Sequence, residues 1–270
     1  MVVPLRVLLT NDDGINAPGL WAVADSISSF ASVLVVAPDR EKSGIGTAVS
    51  LHRPLRIKQV KPLSGDFETY TVEGTPGDCV ILATEVLSRN QKIDLLISGI
   101  NEGSNIGHDI FISGTVGAAL HGYFHGIPSF AISIAALERM HFQAASRLSS
   151  VAASSLLRAR SSDVKNFIIN INLPNLPAEK IKGLELTRIG SRSYTETVKE
   201  EGDSRRKYYW IRRGKEISEM EPGTDIEAVK NDKISITAIF PTVFSKALSQ
   251  YLKILGNDIR KELNIIHENH

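Results

Sequence analysis

The sequence predicts a doubly wound, mostly parallel α/β sheet that carries a C-terminal β-arm and helix. Two observations lead there. Short Val- and Leu-rich runs, Arg6 to Thr10, Val33 to Ala37 and Asp94 to Ser98, each end in a polar loop, as strands buried on both faces do. Helix-compatible segments lie between such runs, the first from Pro18 to Phe30.

The other elements follow the same alternation. Leu55 to Val60 and Phe67 to Val72 flank Pro62, Ser64 and Gly65, which predicts an inserted antiparallel hairpin. Thr75, with Pro76 in the first turn, caps a helix reaching about Leu87. After the strand ending at Ser98, Gly99 to Ile112 shows no regular pattern, and a loop that long in a compact domain is usually functional. Ser113 to Tyr123 reads as a helix rich in small residues, Ser129 to Ile134 as a strand, Phe142 to Arg158 as a helix and Phe167 to Ile171 as a strand. The core is therefore expected over residues 1–175. Residues 176–270 are read as a β-arm and helix packing on the core and on a partner subunit, with strands Leu184 to Ile189, Lys207 to Arg212 and Ile234 to Ile239. Leu248, Leu252, Leu255, Ile259 and Leu263 give residues 243–266 helical spacing.

Composition narrows the function. The chain has 270 residues, 42% hydrophobic, with 31 Lys plus Arg against 30 Asp plus Glu. A net charge of +1 argues against a nucleic-acid or membrane-surface partner, so any phosphate recognition is local. No apolar run approaches the ~20 residues of a membrane span, and a cytoplasmic location is expected. The single cysteine, Cys79, suits a reducing compartment and a buried thiol.

Four polar stretches sit at the ends of, or just beyond, the expected strands: Thr10 to Gly14, Ala37 to Arg40 with Ser43-Gly44, Ser98 to Asn101, and Ser113 to Thr115. Side by side in one parallel sheet, those strands bring their oxygen-bearing side chains to one edge. Asp12 and Asp13 repel each other unless a cation lies beside them. With the Ser43 hydroxyl and the Asn101 amide they form an oxygen-only ligand set, which favours Mg²⁺, Mn²⁺ or Ca²⁺ over Zn²⁺. Taken alone, Asn11 to Gly14 also reads as a turn capping the next helix. Ser113, Gly114 and Thr115 open a helix whose free N–H groups suit an anion, although an ordinary Ser N-cap has the same look. Asn16 and Asn105 are further candidates for phosphoryl oxygens. His121 and His125 have the i, i+4 spacing of zinc ligands but lack a third, which favours packing. The segment from Arg205 to Arg213 mixes cations with aromatics and reads as a β-arm against a neighbouring subunit rather than a single-strand platform.

These stretches, with Gly74-Thr75-Pro76-Gly77-Asp78-Cys79-Val80 and the continuation of Ser113-Gly114-Thr115 through Val116-Gly117-Ala118-Ala119, resemble the SurE survival-protein family of metal-dependent nucleotidases. The resemblance implies a Rossmann-like core, a homodimer or homotetramer with exchanged C-terminal elements, and release of phosphate from nucleoside monophosphates. It places one divalent metal ion per subunit on Asp12, Asp13, Ser43 and Asn101. Catalysis is expected from Asp12 as base and from Asn16, with Asn105, Ser113, Gly114 and Thr115 binding the phosphate. Two rivals stand beside this expectation: Asp12 as a covalent nucleophile, and a nucleotide sensor that does not hydrolyse.

Overall fold

Alternation inside the apolar runs sends side chains to opposite layers. The computed structural model describes residues 5–136, 138–158, 166–191, 194–202, 206–216 and 220–240. In β1 (Arg6–Thr10) Val7 and Leu9 face one core and Leu8 the other. β2 (Ser32–Pro38) and β5 (Leu95–Glu102) repeat the division, with Val33, Val35, Leu95 and Ile97 on the first side and Leu34, Val36 and Leu96 on the second. The first core is closed by α1 (Pro18–Ile27) and α4 (Phe142–Arg158), the second by α2 (Pro76–Leu82) and α3 (Gly114–Phe124). Each fully buried Leu or Ile contributes about 1.5–3 kcal/mol.

With β3 (Ile57–Gln59), β4 (Glu68–Val72), β6 (Ser129–Ala135), β7 (Ile168–Pro174), β8 (Leu184–Thr187) and β11 (Ile234–Ile239), the nine-stranded sheet has the order β3-β4-β2-β1-β5-β6-β7-β11-β8. β4, β2, β1, β5, β6 and β7 run parallel. β3 is antiparallel to β4 as the hairpin reading expects, and β11 is antiparallel to β7. The sheet therefore takes strands from both sides of residue 175. α1 follows β1 on one face and α3 follows β5 on the other, so the loops leaving these neighbouring strands diverge and open a crevice.

The structure adds elements that the sequence reading lacks. The Gly99–Ile112 segment is not irregular throughout: β5 continues to Glu102, and Gly107–Phe111 form a 3₁₀ turn. A bulge between Ser98 and Asn101 lets β5 resume its pairing opposite Ser133. Gly99, at φ 131°, packs so closely on the Ile132 carbonyl that a side chain would collide with it. The helix from Pro76 changes to a wider π-helical turn over Ala83–Leu87. β9 (Tyr194–Gly202) pairs with β10 (Lys207–Glu216) in a separate two-stranded sheet, and α5 (Asp225–Lys230) is a six-residue helix capped by Thr224. The helix expected over 243–266 lies outside the described residues. No described helix is long and apolar enough to cross a membrane.

Candidate active site

The chain leaves β1 through Asn11-Asp12-Asp13-Gly14, and Asn11 closes this turn in both directions. Its Nδ2 donates to the Gly14 carbonyl at 3.0 Å, and its Oδ1 accepts from the Gly14 N–H at 3.2 Å. Gly14, at φ 94°, lies against the Arg40 backbone, which brings the end of β2 beside the turn. Lys42 N–H then donates to the Asp12 carbonyl at 2.6 Å, setting the 40–44 loop over Asp12.

Opposite this turn stands the start of α3. Ser113 caps it by accepting from Val116 N–H at 3.1 Å, as the sequence predicts. The approach of Gly114 to Asp12 leaves no room for a side chain, since a Cβ there would lie 2.8 Å from Asp12 Cβ and 3.0 Å from Oδ2. Thr115 donates its hydroxyl to Asp12 Oδ1 at 2.5 Å.

Asp12, Ser43, Gly44, Asn101, Glu102, Asn105, Asp109, Ile112 and Ser113 line a cleft of about 270 Å³. The structure thus unites Asp12, Ser43, Asn101, Asn105 and Ser113 from the sequence-derived set, with Gly114 and Thr115 packed behind Asp12. Asp13 borders the cleft wall, where its Oδ2 accepts from Glu102 N–H at 3.4 Å. Asn16 is exposed on the turn before α1 and is not part of the lining. His121 and His125 are occupied elsewhere: His121 Nε2 meets the Thr47 carbonyl at 3.0 Å, and His125 Nδ1 meets the His121 carbonyl at 2.8 Å.

Electrostatics single out the aspartates. Burial pushes the Asp12 carboxyl up to about 6 despite the opposing hydrogen bond from Thr115. Asp13 rises to about 7, through burial first and the Asp12 charge second. Glu41 adds repulsion to both. Neither Asp12 nor Asp13 forms an ion pair with a Lys, Arg or His among the described residues. Asn101 turns its Nδ2 to the Gly103 carbonyl at 2.6 Å, so its Oδ1 is left as an acceptor. Ser43 donates to Glu41 Oε1 at 2.8 Å and keeps its lone pairs. Among the described residues no group of three or more His, Cys, Asp and Glu could hold a metal ion. The donor set at Asp12 instead combines carboxylate, amide and hydroxyl oxygens, which fits a hard divalent cation.

Several site residues escape sequence reasoning. Glu41 and Glu102 flank the cleft, and Asn170, Asn172 and Ser133 support it from β7 and β6. Asn170 and Asn172 carry a readable signal, being polar at i, i+2 in the otherwise apolar strand Ile168–Pro174. Asp225 has no such signal.

Comparison with known proteins identifies the family. Residues 7–196 match the family model described as survival protein SurE. A protein of Dehalococcoides mccartyi named 5′-nucleotidase SurE is 43% identical over 245 residues, covering 90% of this chain and 91% of the relative. One of the same name from Moorella thermoacetica is 40% identical over 257 residues, covering 93% of this chain and 97% of the relative. The crystal structure of the SurE protein from Aquifex aeolicus superposes with a TM-score of 0.78 at 37% identity, covering 93% of this chain and 99% of that one. With fold and sequence alike over nearly their whole lengths, the chain belongs to the SurE family.

Proposed function

We propose that this protein is a metal-dependent 5′-nucleotidase that hydrolyses nucleoside monophosphates to nucleoside and phosphate. The observation that carries the reading is the buried Asp12 beside the half-buried Asp13, two mutually repelling carboxylates uncompensated by any basic side chain among the described residues, with Asp12 against the N-terminus of α3. Asp12, Asp13, Ser43 and Asn101 would hold one divalent ion per subunit, Mg²⁺ or Mn²⁺, with Ca²⁺ able to take the same oxygens. When bound, such an ion supplies Lewis-acid polarisation of a phosphoryl oxygen and makes water more acidic.

The protein's own groups do the rest. Asp12 orients the attacking water and accepts its proton as the new P–O bond forms. The ester P–O bond then breaks, and the nucleoside oxygen takes up a proton from solvent as Asp12 returns the one it accepted. The Ser113 hydroxyl at the start of α3 would meet the developing negative charge, with Asn105 in the adjoining wall, while Gly114 and Thr115 act on the phosphate only through the Asp12 they pack against. Asn16, exposed on the turn before α1, would reach the substrate phosphate from outside the lining. The relatives' name, 5′-nucleotidase, supports hydrolysis over a sensor, and the Gly at position 14, two residues after Asp12, supports direct displacement over a covalent aspartyl phosphate.

The exposed Val198, Tyr208, Tyr209, Trp210 and Ile211 on the β9–β10 hairpin support a homodimer or homotetramer, with that hairpin as the arm. The free, buried Cys79 supports a cytoplasmic location. Phosphate release from a panel of nucleoside monophosphates, with and without chelator, tests the function. Release that stops on chelation and returns with Mg²⁺ or Mn²⁺ is expected, and release that persists in chelator contradicts it.

A further inference from the structure

Two buried amides in a central strand are costly unless their polar atoms find partners, and of the four here only Asn170 Oδ1 lacks one. Asn170 and Asn172 of β7 are fully buried, and both are directed at one distant residue. Asn172 Oδ1 accepts from Asn105 N–H at 2.8 Å, while Asn172 Nδ2 donates to the Asn105 carbonyl at 3.1 Å. Asn170 Nδ2 donates to the same carbonyl at 2.8 Å. The backbone of Asn105 is thus gripped at its N–H and at its C=O.

What Asn105 does with its side chain follows from counting hydrogens. Its Nδ2 carries two, and they go to Ser133 Oγ at 2.9 Å and Thr115 Oγ1 at 3.3 Å. Accepting there, the Thr115 hydroxyl directs its own proton to Asp12 Oδ1 at 2.5 Å. Neither side chain retains a donor for a phosphoryl oxygen. We propose that Asn172, with Asn170, is a positioning residue of the reaction: it fixes Asn105, which sets the Thr115 hydroxyl, which orients the Asp12 carboxylate. The inference rests on the nucleotidase reading and changes the roles of two of its residues, since the side chains of Asn105 and Thr115 serve Asp12 rather than the substrate.

The test uses the full-length protein, adenosine 5′-monophosphate, and Mn²⁺ affinity measured from the EPR signal of the free ion. Thr115→Val is expected to lower kcat at least about tenfold and to weaken Mn²⁺ binding, with KM changed less than about twofold, whereas Thr115→Ser stays within about threefold of wild type. Asn172→Asp is expected to lower kcat about tenfold, and the Asn172→Asp, Thr115→Val double variant to fall no more than about twofold below Thr115→Val alone, because both break one chain. Multiplying losses overturn the relay, as does a Thr115→Val defect confined to KM. Should Asn172→Asp not fold by circular dichroism, the Thr115 pair decides: equal activity of the Val and Ser variants overturns the proposal. Wild-type protein that releases no phosphate from the nucleotide with Mn²⁺ present refutes the nucleotidase reading itself, which separates the two failures.

Discussion

Asp225 holds Gly107 from 118 residues further along the chain: its Oδ2 accepts from Gly107 N–H at 2.9 Å. Its Oδ1 accepts from Gly190 N–H at 2.8 Å and Ile226 N–H at 2.9 Å. One buried carboxylate therefore ties the β5–α3 loop, which contributes Asn105 and Asp109 to the cleft, to the segment after β8 and to the start of α5. Asp225→Ala leaves buried donors without a partner, each costing about 1–3 kcal/mol. Urea unfolding is expected to show a loss of that size, and steady-state kinetics a raised KM for nucleoside monophosphate. An unchanged midpoint and KM would contradict the anchoring role.

Asp12 and Asn16 are four residues apart in sequence, yet one is buried in the cleft and the other exposed outside its lining. Asp12→Asn keeps the shape and removes the base, so kcat should fall by about 10²–10⁴-fold. Asn16→Ala, at a residue outside the lining, should lower kcat/KM less than about tenfold. Phosphate-release assays on the two variants check the order. Equal losses would require Asn16 to enter the cleft.

Gly114 tests how closely α3 must approach the aspartates. A methyl group at this position would stand 2.8 Å from Asp12 Cβ, and neither a helix nor a buried strand end can yield cheaply. Gly114→Ala is expected to cost about 1–3 kcal/mol of stability and to weaken Mn²⁺ binding by displacing Asp12. Calorimetric titration with Mn²⁺ checks it. Wild-type affinity would show that the carboxylate tolerates the shift.

The aspartates also predict how stability follows pH. In the folded protein Asp12 rises to about 6 and Asp13 to about 7, both above the ordinary value of 3.8. The folded state therefore binds more protons than the unfolded chain across this interval, and the stability present at low pH is lost as pH climbs through 6 and 7. Metal-free protein should melt at a lower temperature at about pH 8 than at about pH 5, by about 2–4 °C for each kcal/mol lost. Mn²⁺ should restore most at the alkaline end, because it binds the ionised carboxylates. A metal-free melting temperature that rises over this range contradicts the assignment.

Much of this architecture is legible in the chain because buried parallel strands have a strong local signature. Val33 to Ala37 and Leu95 to Ser98 announce themselves by composition, and Asp12 and Ser43 by standing beyond strand ends, whereas Asn101, read as lying past its strand, is carried inside β5 by the bulge after Ser98. Thr75 and Ser113 are read correctly as caps for the same local reason. α5 escapes because six residues hold too little periodicity to separate a helix from a turn. β9 escapes because Tyr194–Gly202 is rich in charge and, among the described residues, pairs only with β10. Asp225 and Asn172 act across 118 and 67 residues, and no local pattern encodes contacts at such separations.

The central claim is that Asp12, Asp13, Ser43 and Asn101 together cradle a divalent cation. A crystal grown with Mn²⁺ and measured for anomalous scattering tests it most directly. The account predicts one peak per subunit within coordination distance of the Asp12 and Asp13 carboxylates, the Ser43 hydroxyl and the Asn101 Oδ1. A peak elsewhere with that cradle empty, or none in protein that still releases phosphate, would contradict it.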